Sequence, residues 1–547
     1  MPERIYVVLT HQKVEIFHSV SAVVSKRCSA LPFFAIALLS WLAAGSINPV
    51  SAATTIYTSP YAGGTISPGD TVVLDDGATI TGAITNNGTL QFNQTSGTNT
   101  MTSVLTGSGT LSLINAGTLM LTGTNVSVGI GLDMTTTVDS GRLLIGNNGG
   151  RQLHLGNTDG GVGTLSINGG YVGNGTSYLG YAEGGQASVT VSSGTWANGS
   201  FTYVGWNGSA TLNVTGGSVT GTIASIGRHL GSVGSVTVSS GGQWSLSNNL
   251  TVGEQGTGSL TIGNGGLVVV KGNLVRGASG TINLNAGGTL QIGTGTNSGS
   301  LLGGTGSLTN NGTVVFNRSN ASTYSGALSG SGAVTKLGLG TLTFGGSAAN
   351  TLTGTITVSA GTLKLDKSAS TTAIAGSVEV ATGATLLISQ SEQVNDASAV
   401  TLSGGTIRTA AGVDETFGNL SITGSGFLDF GTTSYANANT ISFGTYTPSA
   451  LLTINNFDFG STLTFKSNLS GSITNSSFFT FNNGGIASSS WDGSTFTITA
   501  IPEPSTYVAA LGLLALTLWP SRRRLIKDAK SILGLRAPMR DRLAGRG

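Results

Sequence analysis

The sequence predicts an all-β chain wound as a right-handed parallel β-helix, and three observations predict it: composition, alternating apolar runs, and a fixed step between them. Of 547 residues, 87 are Gly and only 8% are charged, against about 7% Gly and about 25% charge in an average soluble domain. That balance excludes a charged disordered chain, a coiled coil and a long helical protein. With only 10 Pro and no Gly at every third position, it excludes collagen as well. Ser, Thr and Asn interleaved with Val, Ile and Leu favour short strands and tight turns.

The alternating runs are Thr164-Leu165-Ser166-Ile167, Ser188-Val189-Thr190-Val191, Thr211-Leu212-Asn213-Val214, Ser235-Val236-Thr237-Val238 and Ser259-Leu260-Thr261-Ile262. Their leading apolar residues fall at 165, 189, 212, 236 and 260, in steps of 24, 23, 24 and 24. A Gly turn follows each run: Gly169-Gly170, Gly194, Gly216-Gly217, Gly241-Gly242 and Gly265-Gly266. A second short strand ending in Gly precedes each: Leu155-Gly156, Leu179-Gly180, Val204-Gly205, Ile226-Gly227 and Val252-Gly253. Alternation of period 2 gives strands with one buried face. Gly supplies corners of positive φ, and about 24 residues per cycle is one coil of a solenoid whose stability comes from stacking. About 450 mature residues then make roughly 19 coils, a rod of about 90 Å at about 4.8 Å per coil.

Taken in order, residues 1–52 read as a helical signal peptide. Lys26 and Arg27 precede the apolar run 30–44, and Val50-Ser51-Ala52 is a small-residue cleavage site, with the cut expected after Ala52. The sole cysteine, Cys28, lies inside that segment, so the mature chain has no disulfide or thiolate chemistry. The body divides into an N-terminal solenoid, 53–150, the tandem repeats, 151–275, a further solenoid, 276–380, and a looser region, 381–500. In that region 378–389, 421–431, 451–459 and 462–465 read as strands. Residues 53–500 carry 11 basic and 17 acidic groups, which excludes a nucleic-acid surface, since phosphate contacts need clustered Lys and Arg.

Residues 501–524 form a three-part signal: Ile501-Pro502-Glu503-Pro504-Ser505-Thr506, an apolar helix over 507–519, then Arg522-Arg523-Arg524. The two prolines keep Glu503 extended and readable by an enzyme. The apolar helix is marginal for a stable span, and the arginines hold its far end on the cytoplasmic side. A basic tail, 525–547, follows, in which 525–535 can form a short amphipathic helix on a membrane surface. This arrangement resembles the PEP-CTERM sorting tail of bacterial exosortase substrates. The resemblance implies a Gram-negative host that makes extracellular polysaccharide. It also implies signal peptidase and an exosortase-type processing enzyme as partners, transient inner-membrane insertion, and delivery to the cell surface or outside it.

The tandem copies resemble the repeat shared by type V secretion passengers and PEP-CTERM proteins. Residues 328–346, LSGSGAVTKLGLGTLTFGG, with the later Ala360-Gly361-Thr362-Leu363, resemble the autotransporter-associated β-strand repeat. Residues 105–123 align with 328–346 without a gap, keeping Gly107, Gly109, Gly117, Thr118 and Leu119 but placing Leu113 at Lys336 and Asn115 at Gly338. The C-terminal end does not read as the alternating strands of an outer-membrane translocator barrel, so self-export is not expected.

Some β-helices are polysaccharide lyases or glycosidases, which need carboxylates a few ångströms apart. Adjacent acidic pairs occur only at Asp75-Asp76 and Asp414-Glu415, and neighbours in a strand point to opposite faces. Asp133 and Asp159 read as solvated turn carboxylates, and His154 and His229 occupy different places in their coils, against a paired metal site. No cofactor and no metal is expected. Trp196 and Trp244 follow their strands at nearly equal offsets, with Tyr171 at the same turn. Tyr178, Tyr181, Tyr203 and Trp206 gather around the second strand. Trp196, Trp206 and Trp244 are the candidates for glycan contact, set against the plainer reading that these rings fill gaps in the core. The function expected is therefore a non-enzymatic, adhesin-like surface or matrix protein in contact with polysaccharide. A polysaccharide-active enzyme or a non-catalytic carbohydrate-binding protein on the same fold is the alternative.

Overall fold

A computed structural model of the chain describes residues 52–122, 130–146, 151–296, 301–303, 308–431, 438–469, 479–482 and 487–500. The expectations placed on Val50, on the rest of the signal segment before Ala52, and on Pro502, Glu503, Pro504, Arg522, Arg523 and Arg524 lie outside them. Ala52 is exposed and precedes the first strand, Thr54–Tyr57. Among the described residues there is no helix, and none long and apolar enough to cross a membrane.

The strands stack as a parallel β-solenoid of about 17 turns, about two fewer than the residue count predicts. At about 4.8 Å per turn the stack is about 80 Å long. Each turn in the middle of the stack passes through three sheets in a fixed order. The first face is a 13-stranded sheet, the second a 16-stranded sheet, and the third an 8-stranded sheet over these turns. In the turn that begins at Val162–Ile167, the second face receives Tyr171–Asn174 and the third Ser177–Leu179.

The predicted step is the observed register. Leu165 pairs with Val189, Val189 with Leu212, Leu212 with Val236, and Val236 with Leu260. On the third face Leu155, Leu179, Val204, Ile226 and Val252 form a second column. Both columns point inward and are buried, so each apolar side chain packs on its counterparts in the turns above and below rather than on a distant element. The Gly that ends each third-face strand turns the corner: Gly227 has φ +70°, and a Cβ there would stand 2.4 Å from the Thr257 carbonyl oxygen of the next turn. Only Gly meets both demands.

Trp196 and Trp244 stand in the inward column of the second face, Val172–Trp196–Val219–Trp244–Val268. Both are 0% exposed. Glycan contact through these two residues is therefore corrected: the pleat turns them into the core, where an indole at every second turn alternates with a valine and fills the interior. Trp196 Nε1–H donates to Asn174 Oδ1 at 2.8 Å, and Asn174 is tied in turn to Ser177 and Asn198. Trp244 Nε1 has no such partner, because Gly221 occupies the place one turn earlier that Asn174 occupies for Trp196.

The repeat motif at 328–346 has a structural use for its lysine. Lys336 is buried, and its Nζ donates to the carbonyls of Gly338 and of Ala360, the latter at 3.0 Å. Lys367 is likewise buried, donating to Gly326 O at 3.3 Å, Gly345 O at 3.1 Å and Ala348 O at 2.7 Å. These ammonium groups satisfy corner carbonyls that would otherwise be orphaned. Residues 105–123 match 328–346 strand for strand, yet they sit one face out of phase. Thr110–Leu113 joins the 13-stranded sheet, whereas the aligned Ala333–Lys336 joins the 16-stranded one.

The strands expected in the looser region are present. The first three runs give shorter strands, Val378–Ala381 and Thr385–Ile388, Leu420–Gly424 and Gly426–Asp429, and Leu452–Asn455, and the fourth is found as read, Thr462–Phe465. Here Phe417, Phe443 and Phe465 stack inside the core at 4.9 and 5.6 Å between centroids. The parallel ladder then ends on an antiparallel hairpin, Ala487–Trp491 with Phe496–Ala500, laid against Thr462–Phe465. The hairpin covers the edge of Thr462–Phe465 and leaves Ala487–Trp491 as the outer strand of that sheet.

Candidate functional site

The outward positions of the tandem turns divide into two surfaces. On the first face they are small and uncharged: Ser166, Thr190, Asn213, Thr237, Thr261 and Asn283 stand in one row along the stack. On the third face they are aromatic. The strands there are only three or four residues long, so each presents one or two side chains outward, and the residue after each corner Gly presents another.

The middle row on this face reads His154, Tyr178, Tyr203, Ser225, Thr251. The row after the corner Gly reads Asn157, Tyr181, Trp206, Arg228, Glu254. The aromatic members of both rows touch. Tyr178 stacks on Tyr203 at 5.2 Å, and Phe201 on Tyr203 at 5.6 Å. Trp206 meets Tyr203 at 4.5 Å and Tyr178 at 4.8 Å, both edge-on. Tyr178, Tyr181, Phe201, Tyr203 and Trp206 are each half-buried, so the cluster covers itself in part and leaves ring area facing outward.

The two histidines close the ends of the strip. His154 is buried under Tyr181, whose ring lies 4.0 Å away and nearly parallel. Burial holds its pKa below the usual histidine range, and its two ring nitrogens face amide oxygens of Asn157 and Gln152, each at 3.1 Å. His229 meets the edge of Trp206 at 4.4 Å, three turns further on. The different coil positions read from the sequence are what the structure has, and the histidines are not brought together. Among the described residues no group of three His, Cys, Asp or Glu side chains converges as metal ligands do.

One pair of charges beside the strip is closed on itself, and Glu183, two residues after Tyr181, is exposed. Arg228 is ion-paired with Glu254, its guanidinium 5.9 Å from the Tyr203 ring centroid, and Ser225 Oγ donates to Glu254 Oε2 at 2.8 Å. Burial also raises the Tyr178 and Tyr203 phenols above their ordinary pKa, so both remain protonated donors at neutral pH.

The acidic candidates have other work. Asp133 caps the corner of the next turn, accepting from Asn157 N at 2.6 Å, Thr158 N at 3.0 Å and Thr158 Oγ1 at 2.6 Å. Asp76 binds Thr95 in the same way. Asp414 is exposed and Glu415 buried, on opposite faces as the strand pleat requires. Glu415 accepts from Gln393 N at 2.8 Å and Val394 N at 2.9 Å.

Neither a protein-family model, nor a curated protein, nor a solved structure matches this chain. The site therefore stands on its own geometry.

Sequence reasoning gathered Tyr178, Tyr181, Tyr203 and Trp206 correctly, but it missed Phe201, the lid that Tyr181 places on His154, and the Arg228–Glu254 pair. The available signal was the column itself. Reading every residue one place after a corner Gly lines up Asn157, Tyr181, Trp206, Arg228 and Glu254, an outward set by composition.

Proposed function

We propose that this chain is an exported, non-enzymatic surface or matrix protein: a β-solenoid rod, wound right-handed as parallel crossovers almost always are. In this reading signal peptidase cuts after Ala52. The helix after Pro504 inserts transiently in the inner membrane with Arg522, Arg523 and Arg524 on the cytoplasmic side. An exosortase-type enzyme then processes the chain at Pro502-Glu503-Pro504. Polysaccharide or other surface components are its partners, and no cofactor takes part.

The observation that carries the reading is the outward surface of the stack. Uncharged hydroxyl and amide rows run across many turns, and the carboxylates Asp76 and Asp133 are committed to capping corners. A long, regular, hydrogen-bonding surface suits contact with hydrated polymer, and the stacking of every turn on its neighbours suits a stiff spacer.

Intact mass and C-terminal peptide mapping of the protein from its native cells test the delivery half. A C-terminus near Pro504 is expected; a chain still ending at Gly547 removes the sorting step.

A further inference from the structure

The geometry points to the aromatic strip on the third face as a binding site for an uncharged polysaccharide of equatorially substituted pyranose units. The inference rests on the reading of the chain as a surface protein in contact with polysaccharide, and it names the surface that makes the contact.

Apart from the cover that Tyr181 gives His154, the strip stands outside the core: the inward residues of the same strands, Leu179 and Val204, are fully buried, and in the two turns after Tyr203 the outward row reads Ser225 and Thr251. Aromatic side chains gathered on the outside of a sheet form an apolar patch of the kind that marks a binding surface. Leu230, 88% exposed and adjacent to His229, extends it.

The chemistry of the patch selects the occupant. Ring faces pack against the apolar C–H faces of pyranoses with all-equatorial substituents, while phenolic O–H and indole N–H groups at the rims meet sugar hydroxyls. An aliphatic protein partner would not need those polar rims. The strip offers no open positive charge: Arg228 is ion-paired with Glu254, His154 is buried, and the exposed charge next to Tyr181 is the acidic Glu183. Together with the acidic excess of the body, 17 acidic against 11 basic groups, this disfavours a polyuronate. Tyr178 and Tyr203 are stacked on each other at 5.2 Å on successive turns, which turns their faces to one another and their rims outward, so the ring faces offered to sugar are those of Trp206 and the outer side of Tyr181, whose inner side lies on His154.

Native gel electrophoresis of the full secreted protein through gels containing hydroxyethylcellulose, a neutral β-linked glucan, tests this, with alginate as the acidic comparison. Wild type is expected to be retarded by hydroxyethylcellulose and not by alginate. Trp206→Ala and Tyr181→Ala are each expected to weaken binding about tenfold, and Trp206→Phe by less. Circular dichroism and melting confirm that each variant is folded, and Trp206→Phe keeps the test open if an alanine variant is not. The proposal is overturned by retardation that the alanine variants leave unchanged, by retardation in alginate alone, or by none in the neutral polymer. Absence of retardation alongside a C-terminus mapped near Pro504 removes this site and leaves the surface-protein reading intact. Retardation lost in Trp206→Ala alongside an uncut C-terminus does the reverse.

Discussion

Trp196→Ala is expected to destabilise the fold by about 3–5 kcal/mol, with the damage centred on the turns between 172 and 246. The indole is 0% exposed and sits between Val172 and Val219 in its column, so its removal opens a cavity that small neighbours cannot fill. It also strips a partner from the buried Asn174–Ser177–Asn198 network. Urea unfolding reads the global loss, and hydrogen exchange reads its place, since each turn of a solenoid contacts only its neighbours. The paired comparison is sharper. Trp196→Phe loses a satisfied hydrogen bond and leaves Asn174 Oδ1 short of a donor, whereas Trp244→Phe removes an N–H that has no partner. The phenylalanine change is therefore expected to cost about 1 kcal/mol more at 196 than at 244. Equal losses contradict the placement of Asn174. Neither change is expected to alter retardation by hydroxyethylcellulose.

Raising the pH from 4.5 to 8 is expected to weaken the C-terminal turns by a few kcal/mol, through Glu415. This carboxyl is 1% exposed. Burial pushes its pKa from 4.5 up to about 8, against the pull of the Gln393 and Val394 amides and with Glu392 and Asp396 adding to the rise. Between those two values the folded chain holds a proton that the unfolded chain releases. The stabilisation is thus complete below pH 4.5 and is lost as pH rises through about 8, at about 1.4 kcal/mol per pH unit while the two states differ. Glu415→Gln, which has no proton to lose, is expected to abolish this fall. Urea midpoints across that range measure it, with hydrogen exchange around 393–415 locating it. The same slope in wild type and Glu415→Gln contradicts the assignment.

What the sequence made legible was the period, and what it hid was direction within a turn. The step from Leu165 to Leu260 translates directly into register because strand alternation and Gly corners leave one way to stack five equal coils. Trp196 and Trp206 look alike as isolated aromatics, and only their columns separate them. Trp196 shares its place with Val172, Val219 and Val268, an apolar set that marks an inward position. Trp206 shares its place with Asn157, Arg228 and Glu254. The strands of the third face are too short for alternation to decide this alone. Two further features were not legible. Residues 105–123 and 328–346 align without a gap but start on different faces, because loop lengths elsewhere set the phase. Lys336 and Glu415 carry charge-bearing groups that composition assigns to solvent, yet each is buried where corner carbonyls or amides need a partner.

The central claim, a folded solenoid displayed outside the cell, is tested most directly by labelling intact native cells with a membrane-impermeant amine reagent and mapping the modified lysines. Lys466 is exposed and Lys271 half-buried at the surface of the stack, whereas Lys336 and Lys367 are buried with their amines on backbone carbonyls. The account predicts label on Lys466 and Lys271 without lysis, and none on Lys336 or Lys367 until the protein is denatured. Label that appears only after lysis contradicts surface display, and label on Lys336 or Lys367 in intact cells contradicts the fold.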